Sequence, residues 1–235
     1  MREQQILRTA LINNYPEGKG RERLRRLKET IELFPATVET FPYNDIPMDK
    51  LRRREFDCLI LSGSNLNVSD LTDRQKVETE INLLKEIEIP VLAICFGLHL
   101  TVYAYGGKIE RNERSGEFSS TNGREIAIEI QNDPDRLISC TEGQVQVNVN
   151  HKDYAIPNDP QLLKSFEVRS VSTDKDKNYL QYAKHKEKAI FCVQFHPESS
   201  DSATPIVKHA GLRIIHNFLN IVVKTIGKRK IVTSD

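Results

Sequence analysis

Short apolar runs alternate with amphipathic segments through the first hundred residues. Four segments predict strands, at 6–12, 38–41, 57–61 and 91–94, and all of them except 38–41 are mainly apolar. Leu24, Leu27, Ile31 and Phe34 recur at spacings of three and four, which predicts a helix over 21–34. Alternating strands and helices are typical of a parallel sheet covered by helices on both faces.

Two further helices are predicted before residue 106. One follows the candidate N-caps Ser69, Asp70 and Thr72, with Val77, Ile81 and Leu84 on its buried face. The other begins near Phe96, directly after the apolar run at 91–94, and stops at Gly106-Gly107. A short, wholly apolar strand followed at once by a helix indicates a parallel strand that is buried on both faces.

The second half of the chain changes character. Strands are predicted, with little helix between them, at 125–130, 144–150, 167–172, 179–183 and 189–195. A last helix is predicted over 204–226, with Val207, Ile214, Phe218 and Val222 on one stripe. The whole pattern predicts an α/β fold whose mainly parallel central sheet carries an antiparallel extension from the second half.

Composition narrows the functional classes. The 235 residues fit a single domain spanning 1–235, and 38% hydrophobic with 29% charged residues indicates a folded chain. A formal net charge of +1 gives no electrostatic reason to expect nucleic acid or a membrane surface as a partner. The chain has no apolar run of about 20 residues and no signal-peptide pattern at its start, so we expect a soluble, cytoplasmic protein.

The four cysteines, at positions 58, 95, 140 and 192, include no CxxC pair, which argues against a disulfide framework and a zinc site. Cys58, Cys140 and Cys192 lie in strand-like contexts and are expected in the core. Cys95 instead lies at a strand-to-helix junction, where a sharp turn presents its side chain at the carboxyl edge of the sheet. The helix N-terminus favours negative charge there, which suits a nucleophilic thiolate, although a buried cysteine of this kind can also be a small core residue.

A second candidate site is Phe195-His196-Pro197-Glu198, after the last predicted strand. A histidine at a strand end can serve as the base for a cysteine, and Glu198 could accept a hydrogen bond from its second ring nitrogen. Alone, a His-Pro-Glu string is more often a turn. The two strings together in one α/β chain favour a Cys–His–Glu triad.

These motifs resemble those of the class I glutamine amidotransferases, which have a triad-type glutaminase domain of flavodoxin-like fold. Ala93-Ile-Cys95-Phe-Gly97 is similar to the nucleophile turn of that family, and His196-Pro-Glu198 to its histidine motif. Three shorter strings also match, at 59–64, at 106–108 and at 149–157. The last of these is typical of the GMP synthetase glutaminase branch and its stand-alone relatives.

The resemblance implies a mechanism and assigns roles. Cys95 attacks the side-chain amide of glutamine, His196 transfers protons and Glu198 orients His196. The backbone N–H groups of Gly63 and Phe96 form the oxyanion hole. The chemistry needs neither a metal nor an organic cofactor, and ammonia passes to a synthetase that often uses ATP.

Four more positions are assigned by the same resemblance. Gly97 and His99 belong to the substrate-binding region, and His151 and Asp153 to an interface with the synthetase. His99 stands where the family usually has a glutamine that contacts the substrate. His99 could instead pack within its helix, and the segment at 151–153 could be a surface turn. The 62–65 segment, Ser-Gly-Ser-Asn, also lacks the usual second glycine and proline.

The leading hypothesis is a glutaminase subunit that delivers ammonia to a separate, ATP-using synthetase subunit. The sequence has no GxxxxGK[ST] phosphate loop, so ATP use is expected on the partner. One alternative is a γ-glutamyl peptidase or hydrolase that acts without a partner, which His99 favours. A further alternative is a non-catalytic regulatory subunit on the same scaffold, against which the intact triad argues.

Overall fold

The computed structural model describes residues 6–111, 124–138, 143–174, 177–198 and 203–232. The expectation for Cys140 lies outside these residues. The strands are β1 (Leu7–Asn13), β2 (Ala36–Pro42), β3 (Cys58–Leu61), β4 (Val91–Ile94), β5 (Ile109–Arg111), β6 (Arg124–Glu129), β7 (Gln144–Val149), β8 (Asp153–Ala155), β9 (Phe166–Asp174), β10 (Lys177–His185) and β11 (Ile190–Val193). The helices are α1 (Arg21–Glu32), α2 (Met48–Arg52), α3 (Leu71–Lys76), α4 (Glu78–Glu86), α5 (Phe96–Ala104), α6 (Pro160–Ser165) and α7 (Pro205–Val232).

The main sheet has seven strands in the order β2-β1-β3-β4-β11-β10-β9. Neighbouring strands from β2 to β11 run parallel, whereas β10 pairs antiparallel with both β11 and β9. The predicted mainly parallel sheet with an antiparallel extension is therefore confirmed. Two small antiparallel sheets, β5-β8 and β6-β7, accompany it.

Successive residues of the parallel strands enter two different cores. Leu59 and Leu61 of β3 join a core with α4 and α5, whereas Cys58 and Ile60 face a core with α1 and α7. This alternation follows from the two-residue period of a strand. Because helices cover both faces, the central parallel strands β3, β4 and β11 are apolar throughout, as the sequence pattern predicted for β4.

The observed helices and strands differ from the predicted ones mainly where the elements are short. The helix predicted after residue 70 is two helices, because Val77 leaves helical geometry (φ −114°, ψ 18°) while its side chain lies in the core. Asp70 is the N-cap, since its side chain accepts a hydrogen bond from the Asp73 N–H. The sequence analysis missed α2, α6, β5 and β8, all of which have six residues or fewer.

None of the helices in the described part of the chain is long and apolar enough to cross a membrane.

Candidate active site

Cys95 lies on a strained turn between β4 and α5. Its backbone adopts φ 52° and ψ −99°, a conformation that side-chain-bearing residues rarely adopt. The Cys95 N–H donates to the Val193 carbonyl of the neighbouring strand β11 at 2.7 Å. Strain of this kind is often retained at functional sites, where surrounding structure holds it in place. The turn presents the thiol at the carboxyl edge of the sheet.

Parallel pairing of β4 with β11 brings the two predicted motifs together. Ile94 is opposite Val193, so the residues that follow each strand emerge at the same edge. The His196 N–H donates to the carbonyl of Asn148 at 2.8 Å, which holds the segment after β11 against the end of β7. Cys95 and His196, which are 101 positions apart in the sequence, are thus brought together by one pair of adjacent strands.

His196 and Glu198 form a buried pair. The ring nitrogen Nδ1 of His196 lies 2.8 Å from Glu198 Oε1, and both side chains are almost fully buried. Burial works to lower the pKa of His196, but the nearby Glu198 and, after it, Cys95 outweigh burial and raise the pKa to about 9. Burial works to raise the pKa of Glu198, and His196 lowers it overall. The pair is therefore an imidazolium and a carboxylate near neutral pH, with Nδ1 donating.

A third charge, which the sequence analysis missed, approaches this pair. Arg23, in the first turn of α1, has its Nη1 3.7 Å from the same carboxylate oxygen of Glu198. Its positive charge helps to lower the pKa of Glu198 after the larger effect of His196. The arginine-rich helix gave no sign of this contact, because its spacing is that of an ordinary solvated face.

The two residues predicted for the oxyanion hole flank the same site. Phe96 is the first residue of α5, where a backbone N–H has no acceptor within the helix. Gly63 follows β3, and a Cβ added to it would lie 2.9 Å from both His196 Cε1 and Tyr15 Oη. A side chain at position 63 would therefore displace the imidazole, which explains glycine at this position. The assignment of both N–H groups to an oxyanion remains a prediction.

Gln194 connects the cysteine to His99, a link that the sequence analysis missed. Its side-chain Nε2 donates to Cys95 Sγ at 3.6 Å, and its Oε1 lies 2.7 Å from His99 Nε2. The His99 nitrogen therefore carries the hydrogen and donates. Burial lowers the pKa of His99, which keeps the ring neutral. A glutamine inside an otherwise apolar strand was the signal available in the sequence.

Gly97 has a packing role in the structure. A Cβ at this position would lie 2.8 Å from Leu61 Cβ and 3.0 Å from the Leu61 carbonyl oxygen. Glycine therefore lets α5 approach β3 closely. Gly97 is not among the residues that line the cavity described below.

His151 and Asp153, predicted at a partner interface, are both buried beside the site. His151 Nδ1 donates to the carbonyl of Asp153 at 2.8 Å, and burial lowers the pKa of His151 to about 3. The Asp153 carboxylate accepts hydrogen bonds from the Ser69 N–H at 2.8 Å and the Ser69 hydroxyl at 2.7 Å. These contacts tie the segment after β7 to the start of α3. The interface role of the two residues remains a prediction.

A cavity of about 580 Å³ opens in front of Cys95. Four segments line it: the end of β1 with the start of α1, the loop after β3, the start of α5, and the connection at 150–153. His99 and His196 lie in its wall. In the described part of the chain, no group of three or more His, Cys, Asp or Glu side chains is placed to hold a metal ion.

Cys58 and Cys192 lie in the core, as predicted. Burial raises the pKa of the Cys58 thiol to about 12 and raises that of Cys192 as well. Both thiols are therefore protonated and unreactive at neutral pH. Of the three described cysteines, Cys95 alone lines the cavity.

A buried polar chain, which the sequence analysis also missed, supports the loop after β3. The Asn14 side chain donates from Nδ2 to the Ser62 carbonyl at 3.3 Å and to Glu80 Oε1 at 3.1 Å. The Asn14 N–H donates to the Ser62 hydroxyl at 2.9 Å. Glu80 is fully buried on α4, and burial raises its pKa to about 8. A protonated carboxyl thus helps to hold the residue next to Gly63.

Comparisons with known proteins agree with this geometry. A glutamine-hydrolyzing GMP synthase subunit from Saccharolobus solfataricus is 30% identical over 195 residues, which cover 82% of this chain and 89% of that protein. The corresponding subunit from Methanothermobacter thermautotrophicus is 27% identical over 213 residues, 90% of this chain and 96% of that protein. A GMP synthase from Francisella tularensis is 31% identical over 195 residues, but this chain spans only 32% of its length.

Solved structures show the same fold. A candidate GMP synthase subunit from Thermoplasma acidophilum superimposes with a TM-score of 0.75 at 20% identity, covering 97% of this chain and 99% of that one. A glutamine amidotransferase from Thermotoga maritima has a TM-score of 0.64 at 15% identity, covering 94% and 98%. The family model for glutamine amidotransferase class-I matches residues 21–217, which include Cys95, His196 and Glu198. This chain therefore belongs to the class I glutamine amidotransferase family.

Proposed function

We propose that this chain is the glutaminase subunit of a two-component enzyme. It hydrolyses the side-chain amide of glutamine and delivers the ammonia to a separate, ATP-using synthetase subunit of GMP synthetase type. The observation that carries the proposal is the arrangement of Cys95 on its strained turn beside the buried His196–Glu198 pair. A cysteine, a base and an orienting carboxylate are the groups that acyl transfer through a thioester requires.

The proposed chemistry proceeds in two stages. The Cys95 sulfur attacks the amide carbon, and the protonated His196 gives its proton to the departing ammonia, which leaves a glutamyl thioester. Water then attacks the thioester while His196 accepts its proton, and the carbon–sulfur bond breaks to release glutamate. Backbone N–H groups at Gly63 and Phe96 would stabilise the oxyanion in each stage, and donors of this kind are worth about 3–4 kcal/mol.

The partner is proposed from two relatives of different length. The Saccharolobus relative is named as a subunit, and this chain covers 89% of it. The longer Francisella enzyme has about two thirds of its length outside the matched region. A separate synthetase subunit would supply what that extra length contains. The proposal assigns to His151 and Asp153, which line the cavity, a role in the response of the site to such a partner.

The test is glutamate release from glutamine by the purified chain, with Cys95→Ala as the control. Hydrolysis that disappears in Cys95→Ala would support the proposal. Stimulation by an added GMP synthetase subunit would support the partner. If the chain were inactive alone and also with that subunit, the proposal would be wrong.

The second candidate function is γ-glutamyl peptide hydrolysis without a partner. It is favoured by His99, which lies in the cavity wall and is linked to Cys95 through Gln194. The same triad can release an amine larger than ammonia if the pocket admits it. Faster turnover of a γ-glutamyl dipeptide than of glutamine would favour this candidate, and His99→Gln should then shift the preference towards glutamine.

A further inference from the structure

Tyr15 is a cavity residue to which the sequence analysis assigned no function. It follows β1, its N–H donates to Asn13 Oδ1 at 3.0 Å, and its side chain is 7% exposed. The ring lies directly over Gly20, where an added Cβ would be 2.1 Å from Tyr15 Cγ. Gly20 also has a positive φ of 65°, which favours glycine. The absence of a side chain at Gly20 leaves room for the Tyr15 ring. The tyrosine is therefore held in one orientation.

The hydroxyl at the far end of the ring lies beside Gly63, on the loop after β3, as does the imidazole of His196. The Cβ position of Gly63 is 2.9 Å from Tyr15 Oη and equally far from His196 Cε1. The ring also lines the cavity that contains Cys95. Burial and the charge of Glu198 raise the pKa of Tyr15, and Arg23 opposes them only in part, so the hydroxyl stays protonated and can donate.

Among the described residues, Tyr15 Oη has no hydrogen-bond partner. Other tyrosines in the fold use theirs: Tyr182 donates to Asp133, Tyr154 to Glu110 and Tyr105 to the Leu84 carbonyl. The Tyr15 oxygen is not among the fully buried atoms that lack a partner, so it is open to the cavity that the ring lines. A protonated hydroxyl at this position is available to donate to a ligand in the cavity.

The neighbouring loop hydroxyls cannot take this role, because both are already used. The Ser62 hydroxyl accepts from the Asn14 N–H and donates to the Gly63 carbonyl. The Ser64 hydroxyl donates to the Asn14 carbonyl and accepts from the Leu66 N–H. Tyr15 is the side-chain donor next to Gly63 that remains available among these three.

We propose that Tyr15 is a catalytic residue whose hydroxyl donates a hydrogen bond to the carbonyl oxygen of the substrate amide. This inference rests on the proposed glutaminase function. When the Cys95 sulfur attacks, a carbon–sulfur bond forms and the π electrons of the carbonyl move to its oxygen, which becomes the oxyanion. Tyr15 keeps its proton throughout and stabilises that charge beside the backbone N–H groups of Gly63 and Phe96.

The test is Tyr15→Phe, with Tyr105→Phe as a matched control that removes a tyrosine hydroxyl donating to the Leu84 carbonyl. We expect kcat for glutamine to fall about 10- to 100-fold in Tyr15→Phe, with KM changed less than about threefold. Alkylation of Cys95 by iodoacetamide, which forms no oxyanion, should keep its wild-type rate. Tyr105→Phe should match wild type in all three measurements.

Two results would overturn the inference. One is an unchanged kcat, whether or not KM rises, and the other is an alkylation rate that falls as much as kcat does. A second measurement avoids dependence on turnover. The aldehyde 5-oxopentanoate can add to Cys95 and form a hemithioacetal, whose tetrahedral carbon carries an oxygen like that of the oxyanion. It should protect Cys95 from iodoacetamide about 10- to 100-fold less well in Tyr15→Phe. Equal protection would contradict Tyr15 alone. Failure of the wild type both to hydrolyse glutamine and to bind the aldehyde would overturn the glutaminase proposal, and the role of Tyr15 with it.

Discussion

Two clusters of polar side chains lie in different parts of this molecule. The active-site cluster consists of Cys95, His99, Gln194, His196 and Glu198. The Arg169 cluster consists of Arg169, Asp133, Asp135, Glu167 and Tyr182. In the second cluster Arg169 donates to three carboxylates at 2.8–2.9 Å, and the Tyr182 hydroxyl donates to Asp133. All three carboxylates and the Tyr182 hydroxyl therefore form hydrogen bonds within the cluster.

The active-site cluster differs in access and strain. Cys95 has a positive φ, and the cluster opens onto the cavity of about 580 Å³. Hydrogen-bonded polar side chains thus stabilise one region and equip the other for chemistry. In the Arg169 cluster the polar atoms form hydrogen bonds with one another. In the active-site cluster some of them face a cavity that a ligand can enter. Mutations in the active-site cluster should therefore reduce activity more than stability, and mutations in the Arg169 cluster should reduce stability more than activity.

The largest effect is expected at Cys95. Cys95→Ala removes the nucleophile, so glutamine hydrolysis should fall at least about 10⁴-fold. The free energy of unfolding should change by less than about 1 kcal/mol, because the alanine keeps the same strained φ and few contacts are lost. Glutamate release and urea denaturation measure the two quantities. A large loss of stability would mean that Cys95 is mainly a core residue.

The converse is expected at Arg169. Arg169→Met leaves the buried Asp133 carboxylate without its cation, which should reduce the free energy of unfolding by about 3 kcal/mol. The folded fraction should retain kcat within about twofold, since the Arg169 cluster lies outside the residues that line the cavity. Urea denaturation and active-site-normalised kinetics test this. A kcat loss comparable to that of an active-site variant would contradict the division between the clusters.

A smaller effect, on pH dependence, is expected at Glu198. Glu198→Gln removes the negative charge that keeps the pKa of His196 near 9, so that pKa should fall. Activity that needs the protonated imidazole to expel ammonia should then decline at lower pH than in the wild type, and kcat should drop about 100-fold. A profile of kcat against pH from 6 to 10 measures the shift. An unmoved basic limb would exclude this role for the carboxylate.

The smallest effect is expected at Glu80, which belongs to neither cluster and supports the loop after β3. Its folded pKa of about 8 lies above the ordinary value of 4.5, so its contribution to stability is fully present below pH 4.5 and is lost as pH rises through 8. Glu80→Gln cannot ionise. Relative to wild type, it should therefore gain on the order of 2 kcal/mol between about pH 6.5 and pH 9. Parallel stability curves for the two proteins would disprove the raised pKa.

The sequence by itself determined the architecture, and it predicted the candidate reactive groups. Apolar runs such as 57–61 and 91–94 predicted parallel strands, because a strand covered on both faces must be apolar at every position. The Cys95 and His196 motifs predicted the nucleophile and its base because each follows directly on a strand. The local sequence pattern is enough to predict a residue's role when that role depends on its position within one helix or strand.

Only the tertiary structure decided the contacts between elements. The pairing of β4 with β11 joins Cys95 to His196, and it also places Gln194 against the sulfur. Tyr15 reaches the site because β1 ends at the same sheet edge, and no sequence pattern distinguishes it from a core tyrosine. The short helices α2 and α6 escaped prediction because one or two turns carry too little periodicity. Hydrogen bonds across the sheet edge depend on strand order and register, which alternating patterns along a single chain do not encode.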